Sequence, residues 1–308
     1  MWLRFLWRGI VVAGFFAAFL PVTTMGEDLC SVQHPLMPPR NELSGQCSNC
    51  GMLKSMWART WISFENSEGK FGVCSLHCLA HMSVKSGEAP KNIMFALYLE
   101  PEKLLGAEQA AFVVGSKAKG TMAMNSKIAL ASQEDARKFI QACGGNLMTF
   151  QQAYESAVQE LPDENVMIVG KRIKSGKIVE PEDNKDECTV CRMYPARYPE
   201  NKCQIQTADK GIYHFCSTRC MFTFLSDPAS YAKKKVDPKL IWATDYPSGS
   251  WMSAPSAYYV VGSEVMGPMR REAFAFDRKS EARDFARQQG GTMLSFREVT
   301  IEKIKGKE

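Results

Sequence analysis

The sequence predicts an α+β protein made of two tandem homologous domains, each of two small ββαβ units with mostly antiparallel sheets. Three observations carry that reading. One cysteine pattern occurs twice, about 141 residues apart. Strand-like and helix-like segments recur in the same order in each half. The chain has 308 residues, 45% apolar and 23% charged, which is enough for two ordinary cores.

The elements follow in order. Trp61 to Glu65 and Lys70 to Cys74 read as strands joined by a turn at Asn66 to Gly69, Leu76 to Val84 has helical spacing, and Ile93 to Leu99 reads as a strand. A second unit begins with strands at Phe112 to Gly115 and Lys127 to Ala131. Ser132 is a good N-cap, with Glu134 and Asp135 in the first turn, for a helix reaching about Ala142. Gly144 and Gly145 end that helix, and Asn146 to Phe150 follows as a strand. The second half repeats the series. Ala111 to Ser116 matches Tyr258 to Ser263, Glu134 to Phe139 matches Ser280 to Phe285, and Gly144-Gly145 matches Gly290-Gly291. Between the halves, mixed charges with Pro162, Gly170, Gly176 and Pro181 read as a linker with a little local structure. The expected organisation is an export segment over 1–26, a first domain over 27–155, a linker over 156–185 and a second domain over 186–308.

Arg4 and Arg8 precede the uncharged apolar run from Gly9 to Leu20, and Thr24 and Gly26 are small enough for a cleavage site. That pattern predicts export to the periplasm, with the N-terminus cleaved or kept as a membrane anchor. Glu27, Asp28 and Leu29 argue against lipidation at Cys30. A net charge of +5 without a basic block gives no reason to expect nucleic acid as a partner.

The chemistry lies in the cysteines. Cys47, Cys50, Cys74 and Cys78 form CxxC then CxxxC, and Cys188, Cys191, Cys216 and Cys220 repeat the pattern with its flanking residues. Four soft donors at this spacing suit one metal ion, or two neighbouring disulfides. Cys30, Cys143 and Cys203 have no repeat counterpart and read as buried or incidental thiols. Met52 and Met193 follow their CxxC by two residues. Met122 and Met124 in one half, and Met266 and Met269 in the other, sit on short loops bearing Gly or Pro. Thiolate with thioether is the donor set that selects Cu(I), although methionine is also a common gap-filler. Histidine is scarce. His77 lies inside a CxxxC and His81 one turn later, and no Ser-His-Asp set, P-loop or dinucleotide loop stands out.

CxxCxM, then Cys-Ser with a second cysteine, then Val-Val-Gly-Ser, a Met loop, and a helix ending in Gly-Gly resembles the NosL family over roughly 45–150 and 186–300. Such proteins are exported copper-binding accessories for assembling the copper centres of nitrous oxide reductase. The resemblance implies copper ligands at Cys47, Cys50, Cys188 and Cys191 and at Met122 and Met269. A histidine two residues after the loop methionine is missing in both halves, where Met124 and Arg271 stand. The expected function is therefore a Cu(I) carrier, not an enzyme, that delivers copper to a periplasmic enzyme or to another carrier. A structural Zn(II) scaffold on four cysteines is the alternative. A thiol-based enzyme is the third reading, since the ββαβ unit also resembles the organomercurial-lyase fold.

Overall fold

The computed structural model describes residues 29–30, 37–39, 43 and 45–306. The expected export segment lies outside the described residues. Among those described, no helix is long and apolar enough to cross a membrane.

The first half opens with β1 (Ile62–Asn66), β2 (Gly69–Val73), α1 (Leu76–Ser86), β3 (Lys91–Ala96) and β4 (Leu104–Gly106). They form an antiparallel sheet in the order β2-β1-β3-β4. A second unit follows as β5 (Ala111–Val114), β6 (Lys127–Leu130), α2 (Gln133–Cys143) and β7 (Asn146–Met148), with order β6-β5-β7. The second half gives β8 (Cys203–Thr207), β9 (Ile212–Phe215), α4 (Thr218–Ser226), α5 (Pro228–Ala232), β10 (Pro238–Thr244) and β11 (Trp251–Ser253). It closes with β12 (Tyr258–Val261), β13 (Ala273–Phe276), α6 (Lys279–Gln289), β14 (Thr292–Ser295) and α7 (Ile301–Lys305). Its sheets run β11-β10-β8-β9 and β13-β12-β14. The tandem ββαβ architecture expected from the sequence is the one observed, with a fourth strand added to the first sheet of each half.

The strand-helix joints follow from local chemistry. Ser132 accepts the Asp135 N–H and caps α2. Gly145 and Gly291 both sit at positive φ, 99° and 100°, where a Cβ would strike the Val114 and Val261 carbonyls at 3.0 and 2.8 Å. The second glycine of each pair is thus required for the turn into β7 and β14.

Two expectations fail here. Phe150 does not end a strand. Thr149 caps a new helix, α3 (Phe150–Lys174), through a capping box with Gln152. This 25-residue helix runs through Pro162 and occupies much of what read as a linker. Tertiary packing overrides the proline. Ala153, Ala157 and Leu161 lie in the same core as Cys74, Cys78 and Leu79, so burial offsets the backbone hydrogen bond that Pro162 cannot make. The segment after α3 docks on the second half. Ile178 is fully buried with Trp242 and Trp251, and Gln204 holds the Val179 backbone on both sides. The second correction concerns Cys30 and Cys143, which form a disulfide with a Cα–Cα distance of 5.6 Å. The bridge ties residue 30 to the end of α2. Cys203 is a buried free thiol, as expected.

Candidate metal centres

The two cysteine quartets each converge. Cys47, Cys50, Cys74 and Cys78 bring their sulfurs within 4.8 Å of one another, and so do Cys188, Cys191, Cys216 and Cys220. Neighbouring sulfurs are 3.5 Å (Cys50–Cys74) and 3.6 Å (Cys74–Cys78) apart in the first, and 3.3 Å (Cys191–Cys216) and 3.8 Å (Cys216–Cys220) in the second. Sulfurs that share a bound ion at about 2.3 Å each lie at comparable separations.

The backbone that sets them is the same in both halves. In the CxxC loop, Cys47 N–H donates to the Met52 carbonyl and Gly51 N–H to the Cys47 carbonyl. Cys188 N–H and Arg192 N–H repeat those bonds to Met193 and Cys188. Ser48 and Thr189 anchor the loops to the Gly72 and His214 carbonyls. The CxxxC spacing has an equally local cause. Cys74 and Cys216 follow the strands β2 and β9, the next residue, Ser75 or Ser217, caps the helix, and Cys78 or Cys220 lies at the third helical position. The capping hydroxyl accepts the N–H of that same cysteine, at 3.3 and 3.4 Å. Free N–H groups at a helix start also favour thiolates.

The sulfurs set one another's protonation. Hydrogen bonds from Cys50, Cys74 and Cys78 pull the Cys47 thiol far down. Cys50 is lowered too: its bond with Cys47 opposes this, and those with Cys74 and Cys78 outweigh it. Cys74 and Cys78 are pushed well up, chiefly by hydrogen bonding to Cys47. In the second quartet Cys188 alone is lowered, by Cys216 and Cys220. Burial raises Cys191, and hydrogen bonding to Cys188 raises Cys216 and Cys220. Only Cys50 and Cys191 are partly exposed; the other six are buried.

The methionines divide. Met52 and Met122 pack against the core holding Cys47, Cys74 and Cys78, and Met193 and Met269 against the core holding Cys188, Cys216 and Cys220. Met124 and Met266 are turned outward, 50% and 57% exposed. His81 does not join a quartet: its ring nitrogens face Asn49 Oδ1 at 3.1 Å and Asp277 Oδ2 at 3.3 Å.

Two functional candidates escaped sequence reasoning, Glu164 and Glu272. Each is a buried carboxylate that joins the methionine loop to the CxxxC helix. Glu164, from α3, accepts the Met124 N–H on Oε1 at 3.0 Å and meets His77 Nδ1 with Oε2 at 2.6 Å. Glu272 accepts the Met269 N–H on Oε1 at 2.9 Å, and on Oε2 the Arg219 N–H at 2.9 Å and the Thr218 hydroxyl. Burial pushes the Glu272 carboxyl up, against these bonds. A stripe at 153, 157, 161, 164 and 168 carries the helical period that would have revealed Glu164.

Between the halves lies a cavity of about 540 Å³. Asn49, His77 and Met122 line it from the first half, and Asp245, Trp251 and Asp277 from the second. None of the eight quartet cysteines lines it.

A fold of paired ββαβ units with a soft-donor quartet and a methionine loop in each half is that of a tandem metal-binding protein. The NosL family model matches residues 42–158 and 180–304, and the chain belongs to that family. It is 32% identical over 124 residues to the copper-binding lipoprotein NosL of Stutzerimonas stutzeri, a match covering 38% of this chain and 63% of that relative's length. The crystal structure of the copper chaperone NosL from Shewanella denitrificans matches at 30% identity and a TM-score of 0.36, covering 40% of this chain and 96% of that one. The solution structure of apo-NosL from Achromobacter cycloclastes matches at 24% identity and a TM-score of 0.27, covering 33% and 87%.

Proposed function

We propose that the chain is an exported Cu(I)-binding accessory protein, a carrier rather than an enzyme, that hands copper to a periplasmic copper enzyme. Nitrous oxide reductase is the recipient implied by the family. The observation that supports this best is the pair of quartets, each with one partly exposed cysteine beside a methionine loop packed on the same core. Cu(I) is the cargo. It is held by the CxxC thiolates, Cys47 and Cys50 or Cys188 and Cys191, with a thioether from Met122 or Met124 in the first half and Met269 or Met266 in the second. Met52 and Met193 brace the loops from within. Low coordination at a partly exposed cysteine lets a partner's ligand enter before the first bond breaks, so copper passes by exchange without release.

A second reading is favoured by burial. Three of four cysteines in each quartet are enclosed, and a closed set of four thiolates also suits structural Zn(II). Anaerobic competition of Cu(I) and Zn(II) on the reduced chain, with X-ray absorption on the product, separates the two. Sulfur-ligated Cu(I), weakened by Met122→Leu and Met269→Leu, supports the carrier. Zinc on four sulfurs, lost only on unfolding, would replace it with the scaffold.

A further inference from the structure

The two quartets share a backbone but differ in the charge around them. The CxxC loop has Gly51 in the first half and Arg192 in the second, and the CxxxC has His77 and Arg219. The methionine loop reads Met122-Ala123-Met124 in one and Met269-Arg270-Arg271 in the other. Four arginines thus replace uncharged or histidine positions at the second quartet. Arg192, Arg270 and Arg271 are exposed. Arg219 is half-buried and donates to the Met269 carbonyl at 2.8 Å.

Each lies beside a ligand-type residue of the second half or on its methionine loop. Arg192 sits next to Cys191, whose sulfur is 3.3 Å from that of Cys216. Arg270 closes a tight turn with Gly267 that carries Met269 at its corner. The Arg271 guanidinium lies against the Gly306 backbone. Arg192 and Arg270 hold φ of 69° and 70°, a left-handed conformation that non-glycine residues seldom adopt. Acidic groups do not cancel this charge. Glu187 pairs with Arg192 at 2.9 Å, yet the arginine side chain stays 76% exposed, and such pairs contribute little. Glu272 is buried among its own donors, and Glu264 is the remaining carboxylate of the loop. In the first half, the stretch around the loop methionines, Gly120–Ser126, carries no charge, and the loop's cations, Lys117 and Lys119, precede it. The first quartet's neighbouring cation, Arg172, is stacked on Trp242 at 4.8 Å. Asn49, His77 and Met122, beside the first quartet, line the cavity between the halves, whereas no residue of the second half's CxxC, CxxxC or methionine loop does.

We infer that the second half is the delivery face, and that its arginine rim docks an acidic protein surface surrounding a soft-ligand copper-accepting site. This rests on the carrier reading above. The occupant follows from two features together. The rim asks for carboxylates, which a guanidinium grips in bidentate fashion. The exposed Met266 and the partly exposed Cys191 ask for a partner that brings a thioether, thiolate or imidazole to them. A lipid surface satisfies the first and not the second.

The test uses the full chain and two labelled peptides of equal length, each with a Met-x-x-Met centre, one flanked by Asp and Glu and the other by Asn and Gln. Binding is read by anisotropy without metal, and Cu(I) transfer by stopped flow. The acidic peptide should bind and receive copper about tenfold better at low salt, an advantage that falls as added salt shortens the screening length. Arg192→Gln with Arg270→Gln and Arg271→Gln should remove that advantage and leave the neutral peptide unchanged. Lys70→Gln with Lys103→Gln and Lys138→Gln, three exposed charges of the first half, should change it less than about twofold. Equal behaviour of the two peptides, or of the two triple variants, overturns the inference. So does rim-dependent binding to phosphatidylglycerol vesicles with no preference for the acidic peptide. If the chain takes up no Cu(I) but still binds the acidic peptide through the rim, the carrier reading fails while the docking surface stands.

Discussion

The two quartets are the same device in different settings. Each has a CxxC loop with the same backbone bonds, a serine-capped helix that sets the CxxxC, and a buried carboxylate that pins the methionine loop. The carboxylate comes from different places: Glu272 lies three residues after its loop methionine, whereas Glu164 arrives on α3 from outside the repeated unit. What is retained is thus an electrostatic function at a position in space, not a residue at a position in sequence. The setting differs too, since residues beside the first quartet line the cavity between the halves and the second quartet has arginines around it.

The largest test of this pairing removes one device at a time. Cys47→Ser with Cys50→Ser should abolish one binding equivalent of Cu(I) and leave the other, and Cys188→Ser with Cys191→Ser should do the reverse. Chelator competition reads the stoichiometry. A double variant that loses both equivalents would show that the halves share one ion.

Next in size is the pH dependence, where the halves should part. Ligands must be deprotonated to bind, so each thiol still protonated in the free protein makes affinity rise about tenfold per pH unit. Cys47 and Cys50 are both lowered, whereas Cys188 is lowered and Cys191 raised. Near neutral pH, Cu(I) affinity through the CxxC pair should therefore rise less steeply with pH in the first half than in the second. Zn(II) on all four sulfurs would instead gain more steeply with pH in both halves, because Cys74, Cys78, Cys216 and Cys220 are all raised. Titrating each quartet in the variant lacking the other gives the slopes, and equal slopes would erase the distinction.

The quartets, the capping serines and the paired ββαβ order were legible because they rest on local rules: donor chemistry, cap preference and alternating apolar residues. What was not legible depended on distant contacts. Pro162 and the mixed charges of the connecting segment read as linker, yet packing against α1 makes it a helix. Cys30 and Cys143 are 113 residues apart with no repeat counterpart, so nothing local announced their bridge. Glu164 was hidden for the same reason as α3 itself.

The carboxylates should show the difference in their origins. Glu164→Ala leaves the buried His77 without its acid at 2.6 Å and the Met124 N–H without its acceptor, while Lys127 keeps Glu160 at 2.8 Å, and should cost about 3–5 kcal/mol. Glu272→Ala deprives two backbone N–H groups and a hydroxyl, and should cost about 1–3 kcal/mol. Hydrogen exchange over α1 and α4 measures each loss where it arises, and a larger loss at α4 would reverse the argument.

The smallest effect concerns the contact between the halves, which the first quartet's helix makes. Lys85 and His81 of α1 meet Asp277 at 3.0 and 3.3 Å, and Lys85 also donates to Ser256. Burial pushes the Asp277 carboxyl up, but its bond with His81 and the charge of Lys85 outweigh this and hold it well below the usual carboxylate range. A carboxyl depressed in the folded state adds stability that is fully present above its unfolded value of about 4 and is lost as pH falls below it. Asp277→Asn should therefore weaken the contact by about 1–2 kcal/mol at neutral pH, and by progressively less below about pH 4. Because α1 carries Cys78, the same substitution should loosen the first quartet's helix and leave α4 untouched. Exchange rates at α1 and α4, compared at neutral and acid pH, decide it: equal loosening of both helices would mean that the contact between the halves does not distinguish the two sites.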